Sequence, residues 1–318
     1  MQNKFISFLK AYWILILLVV TKIALQFSLV HPCYELHRDE FLHLDQANHL
    51  AFGYISVPPF TSLLSKLIML LGGGIFWIRF FPAMFGALTI VVVWLMVESL
   101  GGKLWAKLLA SIAILFSVIA RINILYQPNS FEILDWTLIF WALIQYTTTH
   151  KNQWLYTMAV FVTLGFYNKY NLIFLLFGLI SGYTLSRERK IFITKSLWWA
   201  ILLITVFIVP NIIWQIMHDF PVIKHLHALQ SKQLDHNSGF GFLSDQLKFF
   251  ASSILIILAG LFCLLFYKPF RSYRFVGICF ISTITIFTLL KAKNYYALGL
   301  YPVIIAFGSL YTETIFKK

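Results

Sequence analysis

Only 12 of the 318 residues are Asp or Glu, against 25 Lys and Arg, and an apolar chain keeps acids mainly where they are paired or used. Most of the groups able to move a proton fall in one short stretch: His37-Arg38-Asp39-Glu40, then His43, Asp45 and His49. Asp39 and His43 stand one helical turn apart. A carboxylate placed so can take the proton of a substrate hydroxyl, given hydrogen-bond reach. It can also cap a helix at a gain of about 1 kcal/mol, and one residue can do both. Asp39, His43, Asp45 and His49 have a spacing that would let them share a metal, but no tight ligand spacing recurs elsewhere. No metal ligands are assigned; the residues require no cofactor and leave room for a divalent cation.

A second acid-bearing segment runs Asn123-Ile124-Leu125-Tyr126-Gln127-Pro128-Asn129-Ser130-Phe131-Glu132, with Asp135 following. Glu132 and Asp135 share a helix face, as a functional pair or in structural pairing with Arg121 or Lys169. The third group is cationic: Arg38, Arg79, Arg121, Lys169, Lys291 and Lys293. Lys169 sits between Tyr167-Asn168 and Tyr170-Asn171, and Lys291-Ala292-Lys293-Asn294-Tyr295-Tyr296 opens the last apolar run. Snorkelling to lipid headgroups explains any one of these cations. Together, with acids at the same end, they describe an anion site beside a base. Tyr295 and Tyr296 can stack on a sugar or a lipid chain, or belong to an interfacial ring belt.

The elements that must position these groups are helices in lipid. The chain is 60% hydrophobic and 12% charged, where a soluble domain is about 25% charged. A spanning helix needs about 20 apolar residues, which places spans over residues 11–30, 75–97, 104–120, 131–146, 154–167, 172–185, 197–214, 247–266, 275–290 and 296–311. The expected fold is all-α and polytopic with about ten spans. Lys4, Lys10, Lys103, Lys107, Lys151, Arg187, Arg189, Lys190, Lys195, Lys268, Arg271, Arg274, Lys317 and Lys318 then collect on one side, which predicts a cytoplasmic location for that side and for both termini.

Two long loops, 31–74 and 215–246, fall on the other side, and there the chemistry is expected. In the first, Asp39 is expected to cap a helix over residues 40–52, with Gly53 ending it and Val57-Pro58-Pro59 starting a second amphipathic segment through Leu71. Both read as helices lying along the membrane. No repeat, low-complexity tract or Pro/Gly-rich linker divides the chain, so residues 1–318 are read as one transmembrane domain. The first apolar run lacks a small-residue cleavage site and reads as an uncleaved span. A net charge of +13 does not indicate nucleic acid, because the cations are scattered singly between apolar runs. Cys33, Cys263 and Cys279 have no metal or disulfide spacing.

The run from Asp39-Glu40 through His49-Leu50-Ala51-Phe52-Gly53-Tyr54 to Pro58-Pro59 resembles the first-loop motif of bacterial membrane glycosyltransferases with the GT-C fold, relatives of protein O-mannosyltransferases and lipid A aminoarabinose transferases. Further blocks match in order: Gln127-Pro128 to Glu132 with Trp136-Thr137-Leu138; Asn168-Lys169-Tyr170; Pro210-Asn211-Ile212-Ile213-Trp214-Gln215 with His218-Asp219-Phe220-Pro221; and Lys293-Asn294-Tyr295-Tyr296 with Tyr301-Pro302. The resemblance covers nearly the whole chain. Glu132 stands where relatives often have Asp, and Asp219 where many have Gly. The sequence ends after the last predicted span, where many relatives continue into a soluble domain.

The resemblance implies an inverting transfer of a sugar from a polyprenyl-phosphate donor to an acceptor hydroxyl, on the extracytoplasmic face of a bacterial inner membrane. Asp39 would be the general base, with Glu40 orienting it or a neighbouring cation. Lys169, Lys293, Arg38 and Lys291 would bind the donor phosphate. Glu132 would be a second carboxylate steadying the oxocarbenium-like sugar. His43, Tyr54, Tyr170, Tyr295 and Tyr296 would contact sugar or lipid. The acceptor, whether protein, lipid A or another glycan, is not specified. The rival classes are a multi-span transporter and a non-catalytic lipid-binding subunit. Against a transporter, the acids cluster at helix ends and in one long loop rather than near the bilayer midplane.

Overall fold

A computed structural model describes residues 2–30, 33 and 35–316. Lys317 and Lys318 of the predicted cytoplasmic set, and His31 at the start of the first loop, lie outside the described residues, as does the side chain of Lys4. The described residues form helices joined by loops, with no strand among them. The α-helices are α1 (Gln2–Ser28), α2 (Arg38–Asp45), α3 (Phe60–Leu70), α4 (Ile75–Ser99), α5 (Leu104–Leu115), α6 (Ile119–Ile122), α7 (Pro128–Thr149) and α8 (Gln153–Asn168). They continue as α9 (Leu172–Thr184), α10 (Lys195–Met217), α11 (Pro221–Lys232), α12 (Gly239–Phe249), α13 (Ile254–Phe266), α14 (Arg274–Leu289) and α15 (Tyr301–Phe316). The protein is an all-helical, multi-pass membrane protein, as its composition requires: in lipid the backbone must satisfy its own hydrogen bonds, and a helix does so within one segment.

Every apolar run marked in the sequence is helical over most of its length. Five described helical stretches are long and apolar enough to cross a membrane, and a sixth qualifies if a bent pair is one span. The bent pair is α12 and α13, which meet at 64°. A 20-residue window sees one continuous apolar run there. However, Ser252 and Ser253 donate to the carbonyls of Phe116 and Ala113 next to α5, and the helix breaks at that point. The remaining predicted spans are shorter helices, or pass through polar positions such as Glu132 and Asp135.

Within the bundle α4 and α15 are central and largely buried, whereas α1 and α10 present most of their apolar surface outwards. On α10, Trp198, Trp199, Val206 and Phe207 are all exposed, which suits a helix whose neighbour is lipid. Helix α4 packs on α1, α5 and α7; α7 packs on α8; α9 pairs with α14; and α13 pairs with α15. The last pair approaches closely: a Cβ on Gly308 would stand 1.9 Å from the Ile256 carbonyl oxygen. Small residues permit this close helix approach in a membrane, where dispersion contacts replace the hydrophobic drive.

The first loop departs from its predicted layout. Helix α2 begins two residues earlier than expected and ends at Asp45, followed by a 3-10 turn over Gln46–Asn48. Its cap is His37, whose side chain accepts from Asp39 N while the Glu40 carboxylate accepts from His37 N at 2.7 Å. Asp39 therefore does not cap the helix, and its carboxylate is free for other partners. The helix stops short of Gly53 because the Tyr54 hydroxyl lies against the carbonyls of Gln46 and His49, at 3.2 and 2.9 Å, folding the chain back. The second segment forms α3, which follows Pro58-Pro59 and packs on α2.

Candidate active site

The first side chain to place is Glu40, because it fixes the helix that carries Asp39. It is fully buried. Its Oε1 accepts from Arg79 Nη1 of α4 at 2.5 Å and from Tyr126 N at 2.6 Å, and its Oε2 from His37 N. Arg79 Nη1 also donates to the Ile124 carbonyl at 2.9 Å. A buried pair of this kind is held by the additional hydrogen bonds each group makes, although Arg79 Nε itself has no partner. Glu40, read from sequence as part of the catalytic set, is thus enclosed and fully engaged: it holds a cation, ties α2 to α4 and to the segment before α7, and aims its neighbour. Arg79, read as an outer anion ligand, is consumed by the same clamp.

One residue back, 100° around the helix, Asp39 faces outward with its side chain 40% exposed. Arg38 Nε lies 3.2 Å from its Oδ1, and Gln127 Nε2 donates to its Oδ2 at 3.3 Å. Gln127 is the N-cap position of α7, with Pro128 in the first turn, where its fixed φ suits a helix start. Asn129 Nδ2 donates to Gln127 Oε1 at 3.0 Å, and Asn129 Oδ1 accepts from Lys169 Nζ at 2.9 Å. Lys169 also donates to Glu132 Oε2 at 2.7 Å, while Asn171 Nδ2 donates to Glu132 Oε1 at 2.6 Å. One unbroken chain of hydrogen bonds therefore runs from Asp39 through Gln127 and Asn129 to Lys169, Glu132 and Asn171.

The tyrosines close this cluster from another direction. Lys169 Nζ lies 4.4 Å from the ring centre of Tyr296 and 5.3 Å from that of Tyr295, within reach of a cation–π attraction. Asn171 donates to the Tyr296 carbonyl at 3.2 Å, binding the loop after α8 to the start of the last span. Lys293 is half-buried. Burial, and then the nearby Lys169 charge, lowers its pKa below the ordinary lysine value, while Asp39 pulls the other way. Lys293 and Tyr295 also border a polar cavity of about 420 Å³, walled by His236, Asn237, Ser238, Asp245 and Asn294.

The other expected residues separate into different places. Arg38 beside Asp39 is 88% exposed. Lys291 is exposed at a left-handed backbone position, φ 49°. His43 is buried, its carbonyl accepting from Ser65 Oγ of α3 at 2.8 Å, so it faces the protein rather than a ligand. Tyr54 staples its own loop. Tyr170 bonds Asn211 and Gln215 of α10 at 3.0 and 3.1 Å, and Asn211 donates to the Phe52 carbonyl at 2.6 Å. Tyr170 therefore joins α10 to the site's framework. Arg121 is exposed, and the acid paired with Lys169 is Glu132. Asp135 is buried with neither carboxylate oxygen hydrogen-bonded, against Gly165 of α8.

Among the described residues no three His, Cys, Asp or Glu side chains converge as a metal site requires. In particular, His43 turns inward while Asp45 and His49 are exposed. The residues that the sequence reasoning missed are amides: Gln127, Asn129 and Asn171. Their signal was present in the run Gln127-Pro128-Asn129-Ser130-Phe131-Glu132, where polar side chains crowd a helix start.

The sequence model of the dolichyl-phosphate-mannose-protein mannosyltransferase family matches residues 56–214. No curated protein sequence gives a significant match. Among solved structures, ArnT from Cupriavidus metallidurans bound to undecaprenyl phosphate superposes with a TM-score of 0.76 at 15% identity, over 97% of this chain and 61% of that one. The apo state of the same enzyme gives 0.76 at 16% identity, over 96% and 60%. The Archaeoglobus fulgidus oligosaccharyltransferase, tethered with an acceptor peptide, gives 0.61 at 13% identity, over 98% and 50%. The chain spans about three-fifths of the length of ArnT, and at these identities the likeness establishes the fold, a GT-C helix bundle.

Proposed function

Since the chain belongs to the dolichyl-phosphate-mannose-protein mannosyltransferase family, we propose that it is an inverting glycosyltransferase moving a hexose or pentose from a polyprenyl-phosphate donor to an acceptor hydroxyl. The observation that carries this reading is the pairing of an accessible carboxylate, Asp39, with two lysines at the same end of the bundle. One of them is Lys169, joined to Asp39 by hydrogen bonds; the other is Lys293, coupled to both through space.

On this reading Asp39 accepts the proton of the acceptor hydroxyl as its oxygen attacks the anomeric carbon. The bond from that carbon to the phosphate oxygen breaks on the opposite face, and the electron pair leaves with the lipid phosphate. A phosphate needs no protonation to depart; nearby cations suffice, each contributing a few kcal/mol in a water-poor site. Lys169 has three N–H donors, of which Asn129 and Glu132 take two, leaving one for a phosphate oxygen. The Lys293 ammonium makes no hydrogen bond or ion pair among the described residues and supplies the second charge. Glu132, almost entirely out of water, holds Lys169 in place. The prenyl tail would lie along the lipid-facing helices; the structurally similar ArnT is bound to undecaprenyl phosphate. The distribution of Lys and Arg supports a site on the extracytoplasmic face of a bacterial inner membrane, with cytoplasmic termini.

The test is reconstitution with labelled polyprenyl-phosphate sugars and cell-envelope acceptors, comparing wild type with Asp39→Asn. Donor-dependent transfer that disappears in the variant while donor binding persists supports the reading. Absence of transfer from every donor, with both proteins binding lipid phosphate alike, overturns it.

A further inference from the structure

Resting on the reading of Asp39 as base and Lys169 as phosphate ligand, we propose that Gln127 and Asn129 are positioning residues: they form a directed relay through which Lys169 sets the basicity of Asp39. The direction is dictated from both ends. An ammonium can only donate, so Asn129 Oδ1 accepts from Lys169. That leaves Asn129 Nδ2 to donate to Gln127 Oε1, and Gln127 Nε2 to donate to Asp39 Oδ2, which as a carboxylate can only accept. Amide orientation, usually ambiguous, is here dictated by a cation at one end and an anion at the other.

The backbone holds this relay in register. Pro128, between the two amides, opens α7, and its carbonyl accepts from Asn168 Nδ2 at 3.0 Å, next to Lys169. A hydrogen bond to the ionised form of a carboxylate favours that form, and bonds in series polarise one another. With Lys169 feeding the relay, Asp39 is a weaker base. When a donor phosphate takes the free Lys169 N–H, it partly neutralises the ammonium charge, the bond to Asn129 weakens, the relay weakens with it, and Asp39 gains proton affinity as the donor arrives. The other groups facing Asp39 are His37, Arg38 and His43 from its own segment, and Lys293 and Tyr295 from the start of the last span. None of these hydrogen-bonds to Gln127 or Asn129 among the described residues.

The experiment follows kcat/KM for sugar transfer against pH in wild type, Gln127→Met, Asn129→Leu and the double variant. Asn129 does not touch Asp39, so its effect on the acid limb is the decisive readout. Each single variant is expected to move that limb up by about 0.5–1 pH unit, and the double variant no further than one single. Gln127→Glu keeps the size of the side chain and puts a second carboxylate beside Asp39, and it should move the limb further still. An acid limb unmoved by Asn129→Leu, or a fall in kcat with no shift in any variant, overturns the relay while leaving the transferase reading intact. A wild type with no donor-dependent transfer overturns both.

Discussion

A methyl group on Gly53 would stand 2.4 Å from a ring carbon of Trp214. The indole cannot retreat freely, because it stacks on His218 with ring centres 4.1 Å apart. This contact, with the bond from Asn211 to Phe52, fastens the loop carrying Asp39 to α10. Gly53→Ala should therefore destabilise the protein by about 1–3 kcal/mol, the usual cost of overpacking. It should also lower transfer by shifting the loop. Thermal unfolding in detergent checks the first effect, and an unchanged melting temperature would show that the contact is slack.

The Glu40–Arg79 pair is out of water on both sides, so breaking it leaves one buried charge alone. Glu40→Gln and Arg79→Met should each cost about 3–5 kcal/mol, and the double variant less than the sum. Melting temperatures of the four proteins form the cycle. Additive losses would mean that the two side chains stabilise the fold independently.

The lysines should separate by environment. Lys169→Met is expected to lower kcat/KM about 100-fold and Lys293→Met about 10-fold, whereas Lys291→Met, at an exposed position with no ion pair among the described residues, should change it less than about twofold. Initial-rate measurements over a range of donor concentrations distinguish these outcomes. Equal losses for Lys291 and Lys293 would move the phosphate to the edge of the site.

Acid should loosen the first loop through His43. Burial holds the folded His43 pKa below its ordinary 6.5, with Gln46, Asp39 and Glu40 opposing that effect. Between the folded value and 6.5 the unfolded chain binds more protons than the folded one, so stability rises with pH across that window and falls as pH drops below 6.5. Wild type should lose more melting temperature between pH 7.5 and 5.5 than His43→Gln. Equal losses would assign the acid sensitivity to other groups.

Much of this organisation could be read from residue order. Each apolar run became a helix, because in lipid no other local structure satisfies the backbone. Lys169 and Glu132, distant in sequence, were expected at one end of the bundle and meet there. What escaped was decided by tertiary contact. Asp39 and Glu40 look equivalent as letters, yet the 100° step between them puts one towards solvent and the other against Arg79. The early end of α2 depends on the Tyr54 hydroxyl. The bend between α12 and α13 depends on two serines finding carbonyls at the end of α5. Gln127 and Asn129 carry no charge to draw attention, and their alignment exists only once α7 starts where it does.

The long hydrogen-bonded cluster also has a consequence for biosynthesis. Its members come from residues 39, 127–132, 169–171 and 296, while Glu40 waits for Arg79 and Tyr126. A nascent chain inserting from its N-terminus therefore meets the membrane with Glu40 lacking its partners until Arg79 and Tyr126 follow and Glu132 lacking its own until Lys169 and Asn171 follow, and the last bond, from Asn171 to the Tyr296 carbonyl, forms only when the segment before α15 arrives. A polypeptide stalled before that point holds its acids paired but leaves Lys169 without the rings of Tyr295 and Tyr296 beside it, so the cation end of the cluster is the part completed last.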